Sequence, residues 1–278
     1  MIIKKTSLFQ ALGFAELANS NAVLTSYIPE LDTEILFRKR KSILILPGGG
    51  YDYCSKREGE PVAQYFLSKG YNAHVLEYST AQHSKNTRFP IQLLEAMAAL
   101  QFIKQSAQED FSDEKEVSVI GFSAGGHLAG SLAFMGNLGK FKKLLGIPME
   151  SDLSVKALVL GYPVVSALVP THGGSFANLE SKEYPRSELS LERYITKDAP
   201  AMFIFASSDD NTVPIQNTLV LCEAYTALKK PFELHIYEKG PHGFSLANER
   251  VYEDVRAQII DKNIPHWIDL ANDFITRQ

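Results

Sequence analysis

Five consecutive residues, Gly121-Phe122-Ser123-Ala124-Gly125, carry the clearest chemical signal in this sequence. They follow the apolar run Val117–Ile120 and open the helical run His127–Phe134, so a serine stands on a sharp turn between a strand and a helix. Such a nucleophile elbow strains the serine backbone, leaves no room for flanking side chains and lifts the hydroxyl clear of the sheet. The helix N-terminus behind it favours developing negative charge. A serine hydroxyl is nevertheless a poor nucleophile until a base takes its proton. Of the seven histidines, His242 is the best placed, in the glycine-bounded loop Gly240-Pro241-His242-Gly243-Phe244 directly after the last apolar run. His127, one helical turn beyond Ser123, reads as a packing or hydrogen-bonding residue. His74 and His235 fall inside strands. His83, His172 and His266 have no local argument for catalysis, although His172 lies in an irregular stretch from which it could touch a substrate.

An imidazole base needs a carboxylate to orient it. Ser207-Ser208-Asp209-Asp210-Asn211-Thr212-Val213-Pro214 supplies two, where the run Met202–Ala206 ends. Adjacent residues face different ways, so only one of Asp209 and Asp210 can serve. Acyl transfer also needs backbone N–H groups aimed at the developing oxyanion. Leu46-Pro47-Gly48-Gly49-Gly50-Tyr51 leaves the run Ser42–Leu46 at the right place, with Gly49 or Gly50 donating together with the N–H of Ala124. Alone, three glycines would be a flexible turn; the other motifs give them meaning. The order Ser, Asp, His along the chain is that of a serine hydrolase built on an open α/β sheet.

Other chemistries find no support. No His/Cys cluster has metal-ligand spacing, so no metal is expected. Gly48-Gly49-Gly50 lacks the G-x-G-x-x-G arrangement and no P-loop occurs, so no cofactor is expected. Cys54 lies near the glycine loop, but nothing places it on an elbow.

The elements that must position these residues alternate in type. Apolar, β-branched runs at Ser42–Leu46, Asn72–Tyr78, Val117–Ile120, Ala157–Leu160, Met202–Ala206 and Glu233–Tyr237 suit strands buried on both faces of a parallel sheet. Between them lie helical patterns: Val62, Tyr65 and Phe66 closed by Gly70; Ile91, Leu94, Met97, Ala98 and Phe102; and Leu219–Leu228. A last helix is predicted from Glu249 onward, with Trp267, Leu270 and Phe274 on one face. This alternation predicts an α/β doubly wound sheet. Val23–Ile28 and Glu34–Phe37 are predicted to form an antiparallel hairpin at one edge. The least regular stretches are Gly136–Ser154 and Ser166–Asp198; the second has the length of a lid or binding loop, or of a plain surface excursion.

The 278 residues, 45% hydrophobic and 22% charged, are enough for a large core and predict one domain spanning 1–278, with a small insertion around 166–198. A formal charge of −4, from 28 basic and 32 acidic residues, exerts no pull toward nucleic acid or anionic lipid. Arg38-Lys39-Arg40-Lys41 reads as a solvated turn. Two cysteines, Cys54 and Cys222, exclude a disulfide-stapled fold. With no signal peptide or membrane-length apolar window evident, a soluble cytoplasmic location is expected, without nucleic-acid or membrane partners. Exposed edge strands leave room for a homodimer.

Taken together, these residues resemble bacterial carbohydrate-type esterases of the α/β-hydrolase fold, the acetyl-xylan-esterase-like or lipase/esterase group. The resemblance runs from about Ile43 to the C-terminus. It rests on Pro47-Gly48-Gly49-Gly50-Tyr51, Glu58-Gly59-Glu60-Pro61-Val62-Ala63 and Gly121 to Leu128, then on Gly161-Tyr162-Pro163-Val164, Asp210-Asn211-Thr212-Val213-Pro214 and His235 to Gly243. In that group two residues stand between the catalytic aspartate and Val-Pro, which selects Asp210. The resemblance also implies an eight-stranded, mostly parallel sheet and hydrolysis of short acyl esters, commonly acetyl, of small molecules that include sugars. One departure matters: many relatives carry His-Gly-Gly-Gly at the oxyanion loop, whereas Pro47 stands here, which removes a side chain able to brace it. The rivals to a short-chain serine esterase are a serine peptidase or aminoacyl hydrolase using the same triad, a long-chain lipase, and a hydrolase-like binding protein without activity. The polar Lys182, Glu183, Arg186 and Glu188 argue against a lipase lid.

Overall fold

The computed structural model describes residues 1–12, 20–31, 34, 39–84, 87–252 and 261–278. Six apolar runs of the sequence become the parallel strands β3 (Arg40–Leu46), β4 (Asn72–Glu77), β5 (Ser112–Phe122), β6 (Ala157–Gly161), β7 (Ala201–Ser207) and β8 (Phe232–Tyr237). Their order is β4-β3-β5-β6-β7-β8. The sheet has eight strands because β2 (Val23–Ile28) pairs antiparallel with β4, and β1 (Ile2–Ser7) pairs antiparallel with β2 at the edge.

From β3 to β7 the runs are uninterrupted because both faces are covered; β8, expected to be buried on both faces, is instead a half-buried edge strand. Ile43, Leu44, Ile45 and Leu46 are all fully buried, yet they feed different layers. Leu44 and Leu46 join a core with Val119, Leu158 and Ile204, whereas Ile43 and Ile45 join one with Ile120, Val159 and Phe205. On the first face pack α3 (Ile91–Gln105), α4 (Ala124–Met135) and α7 (Gln216–Ala227), through Leu93, Leu128 and Leu221. On the second pack α2 (Glu60–Ser68) and the C-terminal helix α8 (Trp267–Arg277), through Phe66 and Trp267. Short helices α1 (Leu8–Leu12), α5 (Gly139–Leu145) and α6 (Gly173–Leu179) are present as well. Each fully buried Leu, Ile or Phe stabilises the fold by about 1.5–3 kcal/mol. Trp267 does more than fill space. Its ring stacks on Phe205 at 4.3 Å and its indole N–H donates to Ser245 O at 2.8 Å, tying the loop after His242 to the sheet.

Several expectations change in detail. Val23–Ile28 is a strand, but its partners are β1 and β4 rather than a hairpin mate; most of the run 34–37 lies outside the described residues. The stretch 136–154 contains α5, closed by Gly146 in the left-handed conformation. The start of the last predicted helix is turn at 249–252 and then lies outside the described residues, and α8 begins at Trp267. The stretch 166–198 is not a bare excursion: it contains α6 and two short 3-10 turns, and buries Phe176, Leu179, Leu189 and Leu191. Asn217 on α7 pins its start. That side chain accepts from the amides of Val165 and Ser166 and from Thr171 Oγ1, and donates to Pro170 O.

Candidate active site

Strand β5 ends at Phe122 and α4 starts at Ala124, so Ser123 alone makes the turn, at φ 52° and ψ −118°. For a residue with a Cβ this torsion is strained, and it survives because the surroundings over-determine it. Gly125 is required by contact: a Cβ there would lie 2.1 Å from Leu46 O and 2.3 Å from Pro47 O. The elbow therefore sits directly against the end of β3, where the glycine loop begins.

Ser123 Oγ lies 2.8 Å from His242 Nε2, and His242 Nδ1 lies 2.6 Å from Asp210 Oδ2. A carboxylate can only accept, so Nδ1 carries the proton; Nε2 is then the acceptor and Ser123 Oγ–H the donor. Asp210 is held for this task. It is buried, and its other oxygen accepts from the amides of Thr212 and Val213 at 2.8 and 3.0 Å. Asp209 turns away and accepts from the Gly240 amide at 2.9 Å, which ties the aspartate loop to the histidine loop. The structure thus brings Ser123, His242 and Asp210 into one connected chain of hydrogen bonds.

The glycine loop comes up beside the elbow. Gly49 adopts φ 125°, and a Cβ on it would meet Tyr53 O at 2.1 Å. The Gly48 amide is occupied, donating to Glu58 Oε2 at 2.8 Å. Among the described residues the amides of Gly49 and Gly50 have no protein partner, and both glycines line the cavity that holds Ser123 and His242. Ala124, the first residue of α4, presents its amide from the elbow. The brace missing at Pro47 is supplied in two other ways. Glu58 grips Gly48, and Tyr78 OH donates to Pro47 O at 2.7 Å.

That cavity, of about 510 Å³, is lined by Asp52, Tyr53, Arg57, His172 and Asn178 besides Ser123 and His242. His172 caps α6 by accepting from Ser175 N, and burial and the nearby His242 lower its pKa. Asn178 donates to Gly50 O at 3.0 Å, so the segment 166–198 holds the glycine loop from above. A larger cavity, of about 760 Å³, lies behind the loop between Lys5, Tyr27 and Glu60; neither Ser123 nor His242 reaches it.

Four further histidines have structural partners. His127 is fully buried; its Nε2 donates to Leu189 O at 2.7 Å, so its Nδ1 accepts from Tyr51 OH at 2.9 Å. Burial lowers its pKa to about 4, and it joins the glycine loop, α4 and the segment 166–198 as a neutral ring. His74 bonds Ser26, His235 bonds Glu233 and His83 bonds Thr80. The Cys54 thiol is pushed up to about 12 by burial, which leaves it a poor nucleophile. Among the described residues no group of His, Cys, Asp and Glu could hold a metal ion, and no helix is long and apolar enough to cross a membrane. Sequence reasoning passed over Glu58, Tyr51 and Tyr162. Each stood inside a quoted motif, but contacts across the fold give them their roles.

Comparison with known proteins places the chain in a family. Residues 34–225 match the BD-FAE family. The chain is 32% identical over 219 residues to endo-1,4-beta-xylanase B of Butyrivibrio fibrisolvens, covering 77% of this chain and 34% of that protein. It is 26% identical over 239 residues to an acetylxylan esterase of Xylanibacter ruminicola, covering 82% and 45%. It thus spans less than half the length of either relative. Among solved structures, the α/β hydrolase MGS-M1 from a Medee basin deep-sea metagenome library superposes with a TM-score of 0.77 at 31% identity. That match covers 100% of this chain and 97% of the other.

Proposed function

The chain belongs to the BD-FAE family, and from that premise we propose that it is a carboxylic ester hydrolase working through Ser123, His242 and Asp210. The observation that carries this is the unbroken path from Ser123 Oγ through His242 to Asp210, at 2.8 and 2.6 Å, opening on a cavity beside two glycine amides. His242 takes the serine proton as Ser123 attacks the ester carbonyl. The amides of Ala124 and of Gly49 or Gly50 stabilise the tetrahedral oxyanion, and the alcohol leaves with the proton from His242. Water then repeats the sequence and frees the acid.

The acyl group is short, most simply acetyl, and the alcohol is a polar small molecule such as a sugar. Two features support this. The ring of His172 lies 3.3 Å from where a Cβ on Gly50 would stand, which narrows the cavity beside the glycine loop. Its lining includes the polar side chains of Asp52, Arg57 and Asn178, which suit a polar alcohol. The acetylxylan esterase relative points the same way. The test is hydrolysis of p-nitrophenyl esters from acetate to palmitate and of acetylated sugars, with Ser123→Ala as control. Activity should peak at acetate and fall by several orders of magnitude in S123A. Near-normal turnover by S123A, or a preference for long chains, would reject this assignment.

A further inference from the structure

Two glutamates, Glu58 and Glu95, are buried without an ion pair among the described residues. Glu95 is spent on Ser20 and Ser79, away from the site. Glu58 is different, because it is buried in the fold and yet lines the cavity that holds Ser123 and His242. Its two oxygens meet two donors from separate parts of the chain. Oε2 accepts from Gly48 N at 2.8 Å, and Oε1 accepts from Tyr162 OH at 2.6 Å. The direction of the second bond is fixed, since Tyr162 oxygen itself accepts from Ser245 N at 3.0 Å. Two converging donors call for a group that only accepts, which is a carboxylate rather than an amide.

The same carboxylate stands next to the reacting groups. A Cβ built on Gly48 would lie 2.8 Å from Glu58 Oε2 and 3.0 Å from Ser123 Cβ, so the two side chains flank that glycine. A Cβ on Gly243, the neighbour of His242, would lie 3.9 Å from Glu58 Oε1. Tyr162 spans the gap, with its hydroxyl on Glu58 and its ring edge-on to His242 at 5.1 Å between centroids.

We propose that Glu58 is a positioning residue for ester hydrolysis: it fixes the glycine loop through the Gly48 amide and sets a second negative charge, beside that of Asp210, against the His242 imidazolium. The proposal rests on the assignment of Ser123 and His242 as nucleophile and base. Held at Gly48, the loop keeps the next two amides turned toward the oxyanion, so they need not reorganise as charge develops. The charge acts when His242 holds the serine proton, because a nearby anion favours the protonated ring. Burial raises the pKa of Glu58, while Tyr162, Gly48, His242 and Arg57 pull it down, in that order. Among the described residues the groups facing His242 are Asp210 and Ser123 by hydrogen bond, Tyr162 by its ring, Glu58, Asp52, His172 and Arg57 through the cavity, and Asp209 and Lys239 across a second, smaller one.

The test compares Glu58→Gln, Glu58→Asp and Ser123→Ala with the wild type on p-nitrophenyl acetate from pH 5 to 9. E58Q should lower kcat by about 10- to 100-fold at little-changed KM, short of the loss from deleting an oxyanion donor outright. Its acid limb in kcat/KM should move to lower pH by about half a unit or more, because one anion beside the imidazolium has gone. E58D keeps the charge but cannot reach both donors, so it should lose kcat while its acid limb stays closer to that of the wild type. A loss of kcat in E58Q with an unmoved acid limb would reduce Glu58 to a structural prop and overturn the proposal, as would wild-type kinetics. Should E58Q not fold, Glu58→Ala carries the same readout: a lower kcat with its acid limb moved to lower pH supports the proposal, and a lower kcat with an unmoved limb, or wild-type kinetics, overturns it. S123A separates the two levels. If it stays active the catalytic assignment fails, whereas an inert S123A beside a normal E58Q removes only the role of Glu58.

Discussion

Replacing His127 by glutamine should flatten the acid sensitivity of folding by a calculable amount. His127 is buried, with Nε2 donating to Leu189 O and Nδ1 accepting from Tyr51 OH, so protonating it would force the Tyr51 bond to reverse and would strand a buried charge. Its pKa falls to about 4, against 6.5 for the free side chain. Above pH 6.5 neither state binds this proton, and the contribution to stability is complete. Between 6.5 and about 4 only the unfolded chain binds it, so stability falls as pH drops. At pH 4.5 the loss from this one group is about 2.5 kcal/mol, a large share of a typical 5–15 kcal/mol. His74, lowered to about 4 by the same cause, adds a similar loss. The buried carboxyls of Glu58 and Glu95, raised by burial, act in the opposite sense over the range above the ordinary carboxylate pKa. These terms are common to both proteins and cancel in the comparison. Gln can still accept from Tyr51 and donate to Leu189 but cannot titrate. Urea unfolding at pH 7.5, 6, 5 and 4.5, followed by circular dichroism, should show H127Q losing about 2.5 kcal/mol less than the wild type over that range. Parallel curves would refute the buried, neutral His127.

Two further substitutions probe the supports of the site. Asn217→Ala removes the acceptor for the buried amides of Val165 and Ser166, and should cost about 2–4 kcal/mol in thermal or urea unfolding. Because the same side chain anchors the segment that carries His172 and Asn178, KM for p-nitrophenyl acetate should rise more than kcat falls. Gly125→Ala sets a methyl 2.1 Å from Leu46 O, so β3 or the elbow must shift. Since a shift of about 1 Å costs roughly 100-fold in rate, steady-state kinetics should show at least that loss of kcat in any folded fraction.

What could be read from the sequence follows from where each element's instructions lie. Five of the six parallel strands were legible because each is covered on both faces, so Ile43 to Leu46 form an unbroken apolar run, whereas β8 is a half-buried strand at the sheet edge. The elbow was legible because its constraint is local: Gly125 must be small where the chain turns against Leu46. Strand β1 was not, since Ile2 to Lys5 are exposed at an edge and carry no burial pattern. The choice between Asp209 and Asp210 came from resemblance, because adjacent carboxylates look alike until one faces an imidazole and the other an amide at Gly240. Glu58 was invisible for a similar reason. Its partners are Gly48, ten residues before it, and Tyr162, more than a hundred after, and only the folded sheet brings them together.

The most direct test of the catalytic centre is reaction with a fluorophosphonate probe, followed by peptide mapping in a mass spectrometer. Covalent labelling should approach one adduct per chain, located on Ser123, with ester hydrolysis lost in step, and should vanish in Ser123→Ala. An unlabelled Ser123 in protein that still cleaves p-nitrophenyl acetate, or an adduct on another residue that abolishes activity, would contradict it.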